Sequence, residues 1–346
     1  MKLSRREKIN KKPLVDIEGF KIHIDELIKE QIMPEYFNSP LIGLWEITRA
    51  CDLRCMHCYN GSGKKLPNEL SHEEKINLAK QLIEAKIFRL CLSGGEPILC
   101  ESFWDLAKIL KEGKVHCNTI TNGSFIDENN AWKYTKYFHY IQVSIDGADS
   151  ETHDRYRGKK GSWNKAVNAC RLLKENKGLV AIATTVSPVN INQLDKLFDL
   201  AYSLGAVEFR LDLINFTGRA AINHDKLLLN KEQLRQFNKV IKTKMKEYND
   251  FNVQMPEKYL GSFTATLSKL PPLFLYISPS GTLAPNSVLP YPSISIRKKN
   301  LKEIWNEFKT LHKDQEFLKC VSFIKSREDF IKLDDIPYVK GELHDK

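Results

Sequence analysis

The sequence predicts an α/β fold, a mainly parallel sheet whose strands are joined by crossover helices. Two patterns predict it. From about residue 41 to residue 219, short β-rich runs alternate with longer stretches of helical periodicity. The residues least explained by packing, a cysteine run and then Gly-Gly, Asn-Gly and Asp-Gly pairs, directly follow those runs. Such folds gather their functional groups just beyond the carboxyl ends of the strands.

In chain order, the first forty residues hold one expected helix, 23–32, ahead of Pro34 and a linker ending at Pro40. Strands are expected at 41–47, 89–92, 116–120, 140–144, 180–186 and 207–213. Among the helices between them, 71–85 opens on Ser71-His72-Glu73-Glu74, which reads as a capping box before a 3.6-residue apolar pattern. A basic helix follows at 230–246. Pro271, Pro272, Pro279, Gly281, Pro285, Pro290 and Pro292 then mark turns and short strands before a last helix at 301–312. The expected division is an extension over 1–40, a body over 41–225 and a smaller C-terminal region over 226–346. Six such units fit either an open doubly wound sheet or a partial barrel, and periodicity alone does not choose.

Length and composition exclude several classes. The 346 residues, 42% hydrophobic and 28% charged, suit a soluble protein with a sizeable core. No apolar run approaches the roughly 18 residues that span a bilayer, and the polar, basic N-terminus lacks a secretory signal, so a cytoplasmic location and no membrane partner are expected. The net charge of +10 is spread through amphipathic helices. It reads as a solvated basic surface that would suit an acidic peptide, rather than a nucleic-acid groove. In a reducing compartment, eight cysteines do not make a disulfide framework. Three of them crowd together, while Cys91, Cys100, Cys117, Cys170 and Cys320 stand alone, as small buried hydrophobes usually do.

The crowded three form Cys51-Asp-Leu-Arg-Cys55-Met-His-Cys58, a C-x3-C-x2-C run directly after the first strand. Three thiolates on one loop can converge on one metal centre, and soft ligands suit iron–sulfur clusters or zinc. A centre held by three protein ligands keeps one coordination position open, which points to catalysis. A structural zinc site completed by His57 or a distant ligand is the alternative, though the spacing is wrong for a ribbon or finger.

This run resembles the signature of the radical S-adenosylmethionine (SAM) superfamily, with His57 where an aromatic usually stands and Tyr59 just after the last cysteine. The resemblance implies that Cys51, Cys55 and Cys58 bind three irons of one [4Fe–4S] cluster. The amino and carboxylate groups of SAM would bind the fourth, and reductive cleavage would yield a 5′-deoxyadenosyl radical. Three further matches follow in the family's order. Ser93-Gly94-Gly95-Glu96-Pro97 resembles the GGEP motif that meets the methionyl amino group, and paired glycines let a main chain approach a ligand closely. Thr121-Asn122-Gly123 resembles the TNG turn, where a purely structural role fits equally well. Ser144-Ile-Asp146-Gly with His153-Asp-Arg-Tyr-Arg157-Gly resembles a pair whose serine and arginine hold the SAM carboxylate, although Arg157 read alone would be a surface ion-pair residue. Asn190 and Arg210 match loosely. Together these matches imply a partial (β/α)6 barrel of the TIM-barrel type.

Beyond the barrel, the stretch from Leu275 to Asn286, with Asn300 to Asn306, resembles the SPASM or twitch extension of peptide-modifying members. Asn286 stands where a cysteine is expected, and Cys320 is the one cysteine after residue 225. An α+β extension without its auxiliary clusters is therefore expected. Cys320 is a candidate hydrogen-atom donor or an ordinary thiol. The expected function is hydrogen abstraction from a carbon centre in a ribosomally made peptide, with a flavodoxin or ferredoxin as electron donor. A small-molecule substrate, or a non-catalytic iron–sulfur scaffold, is the alternative.

Overall fold

The computed structural model describes residues 34–255, 270–286, 292–322 and 329, so the helix expected at 23–32 lies outside the described residues. All six expected strands are present: β1 (Ile42–Glu46), β2 (Arg89–Ser93), β3 (His116–Thr121), β4 (Tyr140–Ser144), β5 (Val180–Val186) and β6 (Glu208–Leu213). Between them run α1 (His72–Glu84), α2 (Phe103–Glu112), α3 (Ala131–Tyr137), α4 (Ser150–Arg157), α5 (Ser162–Glu175) and α6 (Leu194–Ser203). The capping box forms as read: the Glu74 amide donates to Ser71 Oγ at 3.2 Å, and the Ser71 amide donates to the Glu74 carboxylate at 2.8 Å.

Each strand lies parallel to the next in sequence. Alternate residues such as Trp45, Leu92, Val143 and Phe209 are buried against helix residues including Leu78, Leu106 and Phe198. The opposite face presents Asn118, Gln142, Ser144, Arg210 and Asp212. A sheet in unbroken sequence order with one helix-covered face is an incomplete barrel, because a doubly wound sheet reverses its order and is covered on both faces.

After β6 come α7 (Gly218–Ile222), α8 (His224–Leu227) and α9 (Lys231–Glu247), the expected basic helix. β7 (Asn252–Gln254) then joins β6 in parallel. On the other edge, β8 (Phe274–Ile277) lies parallel to β1, followed by antiparallel β9 (Thr282–Ala284) and β10 (Ile294–Ser295). Among the described residues one ten-stranded sheet runs β10-β9-β8-β1-β2-β3-β4-β5-β6-β7, so it continues past residue 225 at both edges.

The single helix expected at 301–312 is instead α10 (Leu301–Phe308), a short turn, and α11 (Gln315–Ser322). The second helix lies beyond the expected range and is started by Asp314, whose carboxylate accepts the Phe317 amide at 2.7 Å. Among the described residues no helix is long and apolar enough to cross a membrane.

Candidate active site

The cysteine loop leaves the end of β1 and is held from several sides through its backbone. The Cys51 amide donates to Gly63 O at 3.1 Å, Arg54 N to Arg157 O at 3.2 Å, and Met56 N to Tyr156 O at 3.0 Å. Arg219, at the start of α7, donates through Nε to Cys55 O and through Nη1 to Gly61 O and Ser62 O, at 3.0, 2.9 and 2.7 Å. The loop carbonyls are thus satisfied from outside, and the thiols are left for other work. Arg219 carried no motif and was missed in the sequence, because its role exists only where α7 folds over the loop.

All three thiols are free; Cys55 is buried, and Cys51 and Cys58 are half-buried. Burial pushes the Cys51 thiol up to about 12 and raises that of Cys55, with the neighbouring cysteines adding to both shifts. Thiols that destabilise one another's ionised forms are what a bound cationic metal centre relieves, since coordination deprotonates them. The Leu53 amide already points at Cys51 Sγ at 3.4 Å and Arg157 Nη1 at Cys55 Sγ at 3.8 Å. The donor set therefore fits a cluster. Among the described residues no three His, Cys, Asp or Glu side chains are spaced to hold one metal ion.

The Gly-Gly pair at the end of β2 is required for packing. A Cβ on Gly94, whose φ is +135°, would lie 2.3 Å from Thr48 O, and one on Gly95 would lie 2.2 Å from Ala50 O. Their main chain is thereby pressed against the start of the cysteine loop. Glu96 is wholly buried; its carboxylate accepts from Thr121 Oγ1 at 2.7 Å and the Asn122 amide at 2.8 Å. Burial nevertheless pushes its carboxyl up to about 7. Pro97 is buried in a single helical turn. Asn122 Nδ2 donates to Asp52 Oδ1 at 2.8 Å, and Asp52 pairs with Lys159 at 2.7 Å. Glu96 and Asn122 thus direct their side chains into struts between β2, β3 and the cysteine loop.

At the end of β4, Ser144 is half-buried on the open face. Asp146 is fully buried; Oδ1 accepts the Thr185 amide at 2.8 Å, and Oδ2 lies 2.6 Å from Arg157 Nε and 3.4 Å from His57 Nε2. Burial, with the charges of Arg157 and Arg219, holds His57 well below its usual value, so it stays neutral with its ring 4.1 Å from that of Tyr156. Arg157 is buried too. The surface ion-pair alternative for it gives way, because α4 turns Tyr156 and Arg157 onto the cysteine loop. Asn190 is committed to the scaffold, donating to Asp146 O and Thr185 O, both at 2.9 Å. Arg210 faces the open side and pairs with Asp212 at 2.9 Å.

Tyr59 donates to the buried Glu46 at 2.5 Å. Burial, with Glu46 nearby, holds both Tyr59 and Tyr276 of β8 well above the usual range. Glu46 gave no sequence signal beyond being a charged residue in an apolar strand. Asn286 is buried. Cys320 falls within α11, and its side chain lies outside the described residues.

Residues 45–201 match the radical SAM superfamily. The chain is 35% identical over 202 residues to mycofactocin maturase MftC of Mycolicibacterium smegmatis, a match covering 58% of this chain and 51% of that protein, so it spans about half of that relative's length. It is 27% identical to the AdoMet-dependent heme synthase of Methanosarcina barkeri, covering 82% and 87%. To the PqqA peptide cyclase of Granulibacter bethesdensis it is 26% identical, covering 78% and 74%. The crystal structure of Streptococcus suis SuiB bound to S-adenosylmethionine shares the fold, with a TM-score of 0.66 at 17% identity over 88% of this chain and 72% of that one.

Proposed function

We propose that this chain is a radical SAM enzyme in which Cys51, Cys55 and Cys58 hold a [4Fe–4S] cluster beside S-adenosylmethionine, and that its substrate is a ribosomally made peptide; the match of residues 45–201 to the radical SAM superfamily supports it. The observation that carries the first part is the loop itself: three free thiols, its carbonyls tied back by Arg219, and N–H groups aimed at two of the sulfurs. When bound together, cluster and SAM supply a 5′-deoxyadenosyl radical that abstracts hydrogen from carbon.

The chain's own residues bind and orient. The Gly94–Gly95 main chain lies beside the cysteine loop, where the SAM amino group would meet it. Ser144 and the guanidinium of Arg157 would hold the SAM carboxylate, a role that the charge and fork of the guanidinium support. Glu96, Pro97, Asn122, Asp146 and Tyr59 act one step back, fixing those groups through the contacts described above. One cluster is expected, since Cys320 alone cannot ligate another. The reducing electron comes from an acidic carrier such as a flavodoxin or ferredoxin. Exposed Arg54, Lys64, Lys65 and Lys160 on and around the loop give such a partner a complementary rim.

The peptide reading is supported by the relatives named as a peptide cyclase and a maturase. The open face also fits it: Asn118, Gln142, Arg210, Asp212 and Gln254 offer the hydrogen-bonding groups a peptide backbone needs. The heme synthase match favours a second reading, a tetrapyrrole, which would want a more apolar slot.

The test is anaerobic reconstitution with iron and sulfide, followed by reduction with SAM present. About four irons per chain and release of 5′-deoxyadenosine, both lost in Cys55→Ala, are expected. Deoxyadenosine release stimulated by a tetrapyrrole and by no candidate peptide would move the assignment to the second reading. A chain that binds iron normally after loss of Cys55 would sink the ligand assignment.

A further inference from the structure

We propose that Arg157 is a positioning residue that raises the reduction potential of the cluster through Cys55, and that Asp146 fixes it there and partly offsets its charge. This rests on Cys55 being a cluster ligand.

The three thiols are not equivalent in their surroundings. Cys51 Sγ receives the Leu53 amide at 3.4 Å and Asn122 Nδ2 at 4.0 Å, and Cys58 Sγ donates to Asn60 Oδ1 at 3.0 Å. Among the described hydrogen bonds, a full positive charge reaches only Cys55, where Arg157 Nη1 lies 3.8 Å from Sγ. The Arg157 side chain is 11% exposed and cannot easily swing away. Its Nε is held 2.6 Å from Asp146 Oδ2, and its own carbonyl accepts the Arg54 amide of the cysteine loop. Asp146 is immobilised in turn, by the Thr185 amide at Oδ1 and by Asn190 at its carbonyl. A lone arginine needed only to cap a helix or cover a surface would not be clamped from a second buried strand end.

Reduction adds one electron to the cluster and breaks no bond; the electron comes from an external one-electron donor, here dithionite through soluble mediators. The reduced state is one unit more negative, so a fixed cation beside one thiolate stabilises it more than the oxidised state. Burial keeps that interaction from being screened by water and salt. Asp146, carrying the opposite charge, works in the opposite sense. The two residues therefore predict shifts of opposite sign, which simple loosening of the site would not produce.

The measurement is an electron paramagnetic resonance titration of the reconstituted protein without SAM, so that a lost contact to the SAM carboxylate cannot contribute. At a solution potential equal to the wild-type midpoint, Arg157→Gln should lower the reduced-to-oxidised ratio about tenfold, which is 59 mV for a one-electron couple. Arg157→Lys, which keeps the charge, should fall by less. Asp146→Asn should raise the ratio. An unchanged or raised ratio in Arg157→Gln, with iron content as in wild type, overturns the proposal. If that variant loses iron, an unchanged or lowered ratio in Asp146→Asn overturns it instead. Wild-type protein that fails to take up iron would refute the cluster assignment itself, an outcome separate from normal iron with unshifted variants.

Discussion

Single side chains around the loop divide into those that face inward and those that hold them. Gly95 belongs to the second kind: its missing Cβ is space taken by Ala50 O, a backbone atom that cannot step aside. Gly95→Ala should therefore push β2 away from the cysteine loop and abolish iron uptake, even in protein that remains soluble; iron assay of the purified variant checks this. Glu96 predicts a pH effect. Burial raises its folded value to about 7 from an ordinary 4.5, so the folded protein binds a proton that the unfolded chain has already released. Its contribution is complete below about pH 4.5 and is lost as pH rises through about 7. Glu96→Gln, neutral at every pH, should flatten the melting-temperature profile of cluster-free protein between pH 5 and 7. A profile with the wild-type slope would show that the Thr121 and Asn122 hydrogen bonds keep the carboxylate ionised.

Among the elements, α1 and α4 show how local sequence is turned to tertiary ends. The Ser71–Glu74 box starts α1, and Glu74 also pairs with Arg297, which follows β10, at 2.6 and 2.9 Å. The same glutamate thus caps one helix and ties it to the C-terminal strands. Ser71→Ala should reduce stability by about 1 kcal/mol in denaturant titration. α4 is only eight residues long, capped by Asp149 and stopped by Gly158 in the left-handed region at φ +72°. Its buried residues His153, Tyr156 and Arg157 recur at helical spacing, so one face delivers all three toward the site. A Cβ on Gly158 would meet Arg54 O at 2.8 Å as well as the unfavourable φ. Gly158→Ala should lower iron occupancy more than it lowers the melting temperature, measured on the same preparation.

For the whole molecule, the decisive feature is that the last third of the chain completes the sheet. β8 pairs along β1, the strand that carries the cysteine loop, and Glu46 of that strand accepts the Tyr59 hydroxyl of the loop. Outside the sheet, α10 buries Leu301, Ile304, Trp305 and Phe308, and Trp305 Nε1 donates to Phe37 O at 2.8 Å. Ending the chain after residue 255 should expose the β1 edge and an apolar surface beneath α10. The truncated protein should form soluble aggregates or inclusion bodies, seen by size-exclusion chromatography, rather than a working barrel with a weaker substrate preference.

The six strands, the capping box, the cysteine loop and the order of the motifs after the strands were all legible in the chain before folding. These depend on short-range periodicity, turn chemistry and ligand spacing, which neighbouring residues set among themselves. The sequence also singled out Gly94, Gly95, Glu96, Asn122, Asp146 and Arg157 as candidates. Their contacts come from the tertiary structure: the glycines make room for the Thr48–Ala50 backbone, Glu96 bridges two strand ends, and Arg157 is buried against Cys55. The tertiary structure alone brought in Glu46 and Arg219, and ended the helix expected to reach residue 312 at Phe308. Such roles arise from contacts between segments as distant as Cys55 and Arg219, 164 positions apart, and a charged residue gives no local sign of which distant carbonyl, thiol or carboxylate the fold will set beside it.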